Sequence, residues 1–256
     1  MHRLAVGVEY DGTNYNGWQN QTHAPSIQSS LNQALSFVAD EPIKCIGAGR
    51  TDSGVHATGQ VAHFDSHADR GSRSWLLGIN SNLADDINVL WVKSVSADFH
   101  ARYSALGRTY RYVILNRPVR SALSRLGAWW VRQPLEVRAM RVAAGYLVGN
   151  HDFSSFRASS CQAKSPVRDI RRLEIQVFGP WVSVECEANA FLHHMVRNVV
   201  GSLVRVGRGE AKPEWIRTLL ETRDRRLADI TAPAAGLILT DVEYSPKFGL
   251  DSAIGD

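Results

Sequence analysis

In Gly47-Ala48-Gly49-Arg50-Thr51-Asp52-Ser53-Gly54-Val55-His56-Ala57-Thr58-Gly59-Gln60-Val61-Ala62-His63-Phe64, a glycine-dense loop leads into a strand and carries one carboxylate on the way. A lone Asp-Ser-Gly is by default a turn, because Asp and Ser bond their own backbone and Gly supplies positive φ. Arg50, two residues earlier, argues for more. A guanidinium close to a carboxylate favours its ionised form, the form that a nucleophile or base needs. Asp52 is therefore the first candidate catalytic residue.

Two phosphate-binding readings of this loop fail on residue type. A P-loop needs a Lys after its last Gly, and no Lys stands between Lys44 and Lys93. A dinucleotide fingerprint begun at Gly47 would need glycine where Asp52 stands, setting an anion against a pyrophosphate.

Working outward, Leu4, Val6, Val8 and Tyr10 alternate as in a half-buried strand, and Asp11-Gly12-Thr13 turns the chain. A helix capped by Ser26 follows, stacking Ile27, Leu31, Ala34, Leu35 and Val38 on one face. Strands are expected over Lys44–Gly47 and Gln60–Asp65, a helix over Arg73–Leu83 and a buried strand over Val89–Val92. The second part repeats this order: a strand at Thr109–Leu115, a helix over Leu135–Val148, and strands Arg172–Phe178 and Val182–Cys186 joined by a Gly179-Pro180 turn. Helices over Leu192–Val206 and from Pro213 through Leu220 follow, then a strand at Leu237–Tyr244. The expected class is α+β, with two similar halves, 1–104 and 105–256, sharing a cleft.

The 256 residues are 44% hydrophobic, enough for a sizeable core. No run approaches the ~18 apolar residues of a membrane span, so a soluble, cytoplasmic chain is expected. Cys45, Cys161 and Cys186 are too few and too scattered for a disulfide framework or a zinc knuckle, and are read as reduced thiols. Charge is segregated: residues 1–104 hold 7 Lys/Arg against 10 Asp/Glu, and residues 105–256 hold 22 against 15. Nine arginines fall within residues 102–141 against the single acid Glu136. Arginine's planar fork suits phosphate contact and base stacking, so nucleic acid is the natural partner.

In Thr109-Tyr110-Arg111-Tyr112, alternation puts both tyrosines on one face and Arg111 on the other. A tyrosine in a basic setting can stack on a base and relay a proton, which makes Tyr110 a candidate. A helix from Leu192 would turn His193, Arg197, Gly201, Arg205 and Arg208 to one face and Leu192, Val196, Val199, Leu203 and Val206 to the core. Arg197 can anchor phosphate, pair with Asp52 or be solvated. His193-His194 is not expected to bind metal, since adjacent residues on a helix diverge by about 100° and no acid stands three or four residues away. Tyr10–Gln19, dense in aromatic and amide groups, is either a binding edge or an ordinary turn. No Gly-x-Ser-x-Gly is present to support serine hydrolysis.

Together these blocks resemble the tRNA pseudouridine synthase A family. The resemblance is carried by Tyr10-Asp11-Gly12-Thr13, Gly17-Trp18-Gln19, Gly49–Ala57, Phe99-His100-Ala101-Arg102, Tyr110-Arg111-Tyr112 and His151-Asp152-Phe153. Phe191-Leu192, Met195-Val196-Arg197, Ala232-Pro233 and Gly236-Leu237 continue it, in family order, from about Leu4 to Tyr244. Thr109 stands where a basic residue is expected.

The resemblance implies the pseudouridine synthase fold, two ferredoxin-like or RRM-like halves with antiparallel sheets flanking a central active-site cleft. The first half would carry the catalytic loop, and the basic second half would bind RNA. It implies Asp52 as the catalytic aspartate, Tyr110 stacking on the target uracil and serving as a candidate base, Leu237 packing beside the uracil, and Arg50 and Arg197 holding the carboxylate or a phosphate. Arg102, Arg111, Arg205 and Arg208 are further candidates for RNA contact. It also implies a homodimer without metal or organic cofactor that isomerises uridines 38, 39 and 40 of the tRNA anticodon arm. The competing classes are a non-catalytic RNA-binding module and a metal-dependent Asp hydrolase. The first accounts for the arginines but not for an anion facing phosphates, and the second predicts inhibition by EDTA.

Overall fold

The computed structural model describes residues 1–250, arranged as two compact units. The first, Met1–Gly107 with the chain from Leu239 onward, opens with β1 (His2–Tyr10) and α1 (Ile27–Ala39). It continues through β2 (Ile46–Gly47), β3 (His56–Ser66), α2 (Ser72–Asn80) and β4 (Ile87–Val95). β1 pairs antiparallel with both β3 and β4, and β2 pairs antiparallel with β3.

Helix α1 starts where its cap predicts. Ser26 accepts from the Ser29 N–H while the Ser29 hydroxyl accepts from the Ser26 N–H, and Ile27, Leu31, Ala34, Leu35 and Val38 are buried as the pattern requires. β1 differs from its expected half-buried state, because Leu4, Ala5, Val6, Gly7 and Val8 are all buried. The small residues Ala5 and Gly7 explain this: a Cβ at Gly7 would overlap the indole of Trp91 on β4, so glycine lets that ring lie flat on the strand.

The second unit, Arg108–Ile238, contains most of β5 (Ala105–Asn116), β6 (Trp129–Val131), α3 (Val137–Gly145) and β7 (Gly149–Asp152). β8 (Val167–Phe178), β9 (Trp181–Ala188), α4 (Met195–Gly207) and α5 (Trp215–Thr222) follow. β5 and β8 both pair antiparallel with β9. This repeats the first unit, in which β1 and β2 both pair with β3. Both units therefore place their opening strand beside the later strand of an antiparallel pair, β1 beside β3 and β5 beside β9, as the expected pair of ferredoxin-like halves requires. The β8–β9 hairpin turns at Gly179-Pro180, with Gly179 at φ +57° and Phe178 opposite Trp181.

The last strand, β10 (Leu237–Tyr244), has the expected bounds, but from Leu239 on it groups with the first unit rather than with a 105–256 half. Its contacts give the reason. The Tyr244 hydroxyl donates to Ala101 O at 2.6 Å, its ring lies 5.1 Å from that of Phe99, and Lys247 pairs with Asp98 at 3.1 Å. Divided at the observed boundaries, the charge segregation sharpens. Residues 108–238 carry 21 Lys/Arg against 11 Asp/Glu, a net of +10, and the rest of the sequence carries 8 against 14, a net of −6. No helix of the described residues is long and apolar enough to cross a membrane.

Candidate active site

In the first unit, the Asp52 loop is gripped by the segment that follows β1. Trp18 N–H donates to Thr51 O at 3.1 Å, Gly54 N–H to Tyr15 O at 3.3 Å, and the Ser53 hydroxyl to Tyr15 O at 3.2 Å. A turn closes from Val55 N–H to Asp52 O at 3.1 Å, with Gly54 at φ +76°, a conformation glycine adopts without strain. Gly17, at φ +85°, lies so close to Thr51 O that any side chain there would collide with the loop. Gly12 likewise abuts the Val55 carbonyl, and its N–H donates to His56 Nδ1 at 3.2 Å. That ring nitrogen also lies 3.0 Å from Asp11 Oδ1. Two motifs some forty residues apart in sequence are thus one structure, in which the Tyr10–Gln19 segment moulds the loop that presents a half-buried Asp52.

Arg50 does not pair with Asp52. Its side chain is exposed and forms no ion pair among the described residues. An exposed pair gains little against the side-chain entropy it costs, so nothing holds the guanidinium over its neighbour. Arg102 lies in the turn after β4, its guanidinium 5.7 Å from the Tyr103 ring centre.

In the second unit, Tyr110 and Tyr112 are buried on one face of β5 and Arg111 is exposed on the other, as alternation requires. The Tyr110 ring meets Phe191 edge-on at 5.1 Å, an orientation in which a ring edge faces a π cloud. Tyr112 donates its hydroxyl to Pro233 O at 2.7 Å, and burial pushes its phenol well above the ordinary range, only partly opposed by the charge of Arg197. A Cβ at Gly236 would lie 2.7 Å from the Tyr112 ring, so glycine is needed there for the chain to pass into Leu237, which is buried.

Arg197 is built in rather than solvated. Its Nε donates to Ala232 O at 2.7 Å, and its own carbonyl accepts from Ala232 N–H at 3.1 Å. One turn on, a Cβ at Gly201 would overlap Ile230 O, so α4 fixes the segment leading to Leu237 along its length. Arg197, Tyr112, Gly236 and Leu237 are thus brought together within this unit.

The other arginines are placed differently. Arg111 pairs with Glu185 at 3.0 Å, and Glu185 also holds Arg172 at 2.6 Å, so Arg111 belongs to a cross-strand charge network on the face opposite Tyr110. Arg205 stacks over Trp215 at 4.8 Å and Arg208 over Trp129 at 5.9 Å. At 1.5 Å rise per residue they lie about 12 to 16 Å along the helix from Arg197, so these arginines do not form one cluster.

Helix α4 begins at Met195 rather than Leu192, because His194 adopts the left-handed conformation at φ 62° and stops the helix there. The rings of His193 and His194 lie 4.1 Å apart instead of diverging, so the helical argument against their acting together does not apply to them. The expected two-faced helix is also corrected, since α4 is buried nearly all round, with Arg197 and Arg205 partly exposed. Sequence reasoning passed over Phe191 as the partner of Tyr110, and His56 and Thr51 as anchors of the loop. The alternation of Gly12 and Gly17 with the aromatic residues Tyr15 and Trp18 was the available signal.

A family model described as tRNA pseudouridine synthase matches residues 7–104 and 143–245. Curated proteins named tRNA pseudouridine synthase A are similar along the whole chain. That of Hydrogenovibrio crunogenus is 50% identical over 256 residues, 100% of this chain and 98% of that protein. That of Vibrio campbellii is 50% identical over 248 residues, covering 97% and 94%. That of Coxiella burnetii is 48% identical over 250 residues, covering 98% and 96%. The chain belongs to the tRNA pseudouridine synthase family, whose enzymes isomerise uridine in RNA to pseudouridine.

Proposed function

We propose that this enzyme isomerises uridines 38, 39 and 40 of the tRNA anticodon arm, with Asp52 as its catalytic carboxylate. The observation that carries the role of Asp52 is the grip on its loop, since Thr51 O, Asp52 O and Gly54 N–H are all tied by backbone hydrogen bonds while the side chain stays half-exposed. A carboxylate held this firmly without being buried is placed to meet a substrate.

The reaction breaks the C1′–N1 bond of uridine, turns the uracil, forms a C1′–C5 bond and releases the C5 proton. It is redox-neutral, so one carboxylate and one base suffice. Attack on C1′, attack on C6 and removal of a ribose proton all use the same Asp52 oxygens. Tyr110 supplies the aromatic platform for the uracil and is the base that takes the C5 proton, Leu237 packs beside the uracil, and Arg197 holds the carboxylate or a phosphate. Arg50, Arg102, Arg205 and Arg208 contact the RNA backbone, with Arg111 reaching it only by leaving Glu185. Taking the base out of its stack costs a few kcal/mol, which stacking and arginine–phosphate contacts offset. The enzyme works in the cytoplasm as a homodimer without metal or organic cofactor. Site mapping of pseudouridine in tRNA from cells lacking the gene, before and after its return, tests the target positions. Loss at 38, 39 and 40 with recovery is expected, and intact modification there would refute it. Turnover abolished by EDTA would refute the metal-free reading.

A further inference from the structure

Beneath the Asp52 loop lies a polar contact that the reaction does not use directly. Tyr10, the last residue of β1, is buried, and its hydroxyl lies 2.9 Å from the hydroxyl of the buried Thr51, the residue before Asp52. Burial pushes this phenol up to about 12, so it keeps its proton throughout the working range. Beside them the fully buried Gln60 donates from Nε2 to Gly49 O at 2.9 Å. Gly49 and Thr51 are therefore fastened from the protein interior, while Trp18 N–H holds Thr51 O.

A hydroxyl pair of this kind adds little net stability. Replacing both partners by apolar groups of the same shape is close to neutral, whereas removing one strands the other. Phe and Val would fill the same space, leaving the buried Gln60 amide, which also faces the Tyr10 hydroxyl, as the polar group beside them. What the pair supplies is geometry, because it ties the residue before Asp52 to the end of β1 from the buried side of the loop. We infer that Tyr10 is a positioning residue for the isomerisation, acting through Thr51 to aim Asp52. This rests on the reading of Asp52 as the catalytic carboxylate.

The test uses the full-length enzyme with tRNA transcript, measuring kcat, KM, tRNA affinity by filter binding, and thermal stability for Tyr10→Phe, Thr51→Val, Thr51→Ser and the Tyr10→Phe/Thr51→Val double variant. Displacing a catalytic group by part of an ångström costs on the order of ten-fold or more in rate. Tyr10→Phe and Thr51→Val are expected to lose about that factor in kcat with KM and tRNA affinity within about two-fold. Thr51→Ser, which keeps the hydroxyl, should retain most of the rate. The double variant should regain the stability lost by either single change while its kcat stays low, a split that a merely structural role does not produce. A double variant with wild-type kcat overturns the inference, as does a fall in kcat that only follows the folded fraction. Should a single variant fail to fold, the double variant carries the test. Asp52→Asn, assayed alongside, separates the two claims. An active Asp52→Asn sinks the reading of Asp52 itself, whereas an inactive one beside a fully active double variant sinks only the role of Tyr10.

Discussion

Replacing Gly12 by alanine should separate folding from catalysis more sharply than any other single methyl group. A Cβ there would lie inside the van der Waals reach of Val55 O and 2.7 Å from the Val55 carbonyl carbon, where ordinary contact begins at 3.4 Å. The carbonyl oxygen is met before the carbon, so the two backbones must part by more than about 1 Å, and the Val55 side of the contact is the closing residue of the Asp52 turn. A shift near 1 Å at a reacting group costs on the order of 10²-fold in rate, so kcat should fall about ten- to hundred-fold. Overpacking of this kind costs about 1–3 kcal/mol, which for a chain of this size lowers Tm by roughly 2 to 12 °C and leaves the protein folded at 25 °C. The assay is tritium release from C5-labelled uridine in tRNA, paired with filter binding, where tRNA affinity should stay within about two-fold because the arginines are untouched. A folded Gly12→Ala enzyme with kcat within about two-fold of wild type would show that the mould around the loop does not set its catalytic geometry.

Tyr110→Phe should cost much less in kcat than Tyr110→Ala, because the edge contact with Phe191 and the platform survive; equal losses would assign the work to the hydroxyl. His63 is buried and accepts from Ala101 N–H at 3.1 Å, and burial brings it down to about 4. Its folded form therefore resists the proton that the unfolded chain takes up near 6.5, so its contribution is intact above about pH 6.5 and is lost as pH falls towards 4, by up to about 3 kcal/mol. Urea melts at pH 7 and 4.5 should show His63→Gln losing less stability on acidification than wild type; equal losses would contradict this. Gly145, in the last turn of α3 with nothing within 4 Å of its Cβ position, should become Ala with a gain of up to about 1 kcal/mol in a urea melt, and a loss would mean unrecognised strain.

Elements specified by local chemistry were legible in the sequence. Ser26 set the start of α1, and the alternation at Tyr110-Arg111-Tyr112 sorted those side chains correctly. What escaped depended on partners distant in sequence. β1 is buried on both faces because Trp91 covers Gly7. β6 and β7 were missed because each is only a few residues long and exists through its pairing with β5 or β8. Arg205 and Arg208 carry the charge that composition showed, but only packing reveals that each lies on a tryptophan. The carboxylate of the candidate site was readable from Gly49–Ala57, yet its support was not. Tyr10 and Thr51 are 41 residues apart, and no local pattern links two hydroxyls across that distance. Arg50, the neighbour that marks Asp52 in the sequence, is exposed and does not pair with it.

Asp52→Asn keeps the shape of the side chain and the backbone bonds of its loop while removing the acid. In a single-turnover assay with C5-tritiated anticodon-arm uridine and excess enzyme, the variant should bind tRNA as wild type does and release no tritium above background. Release at a rate near that of wild type would contradict the assignment of Asp52 as the group that drives the isomerisation.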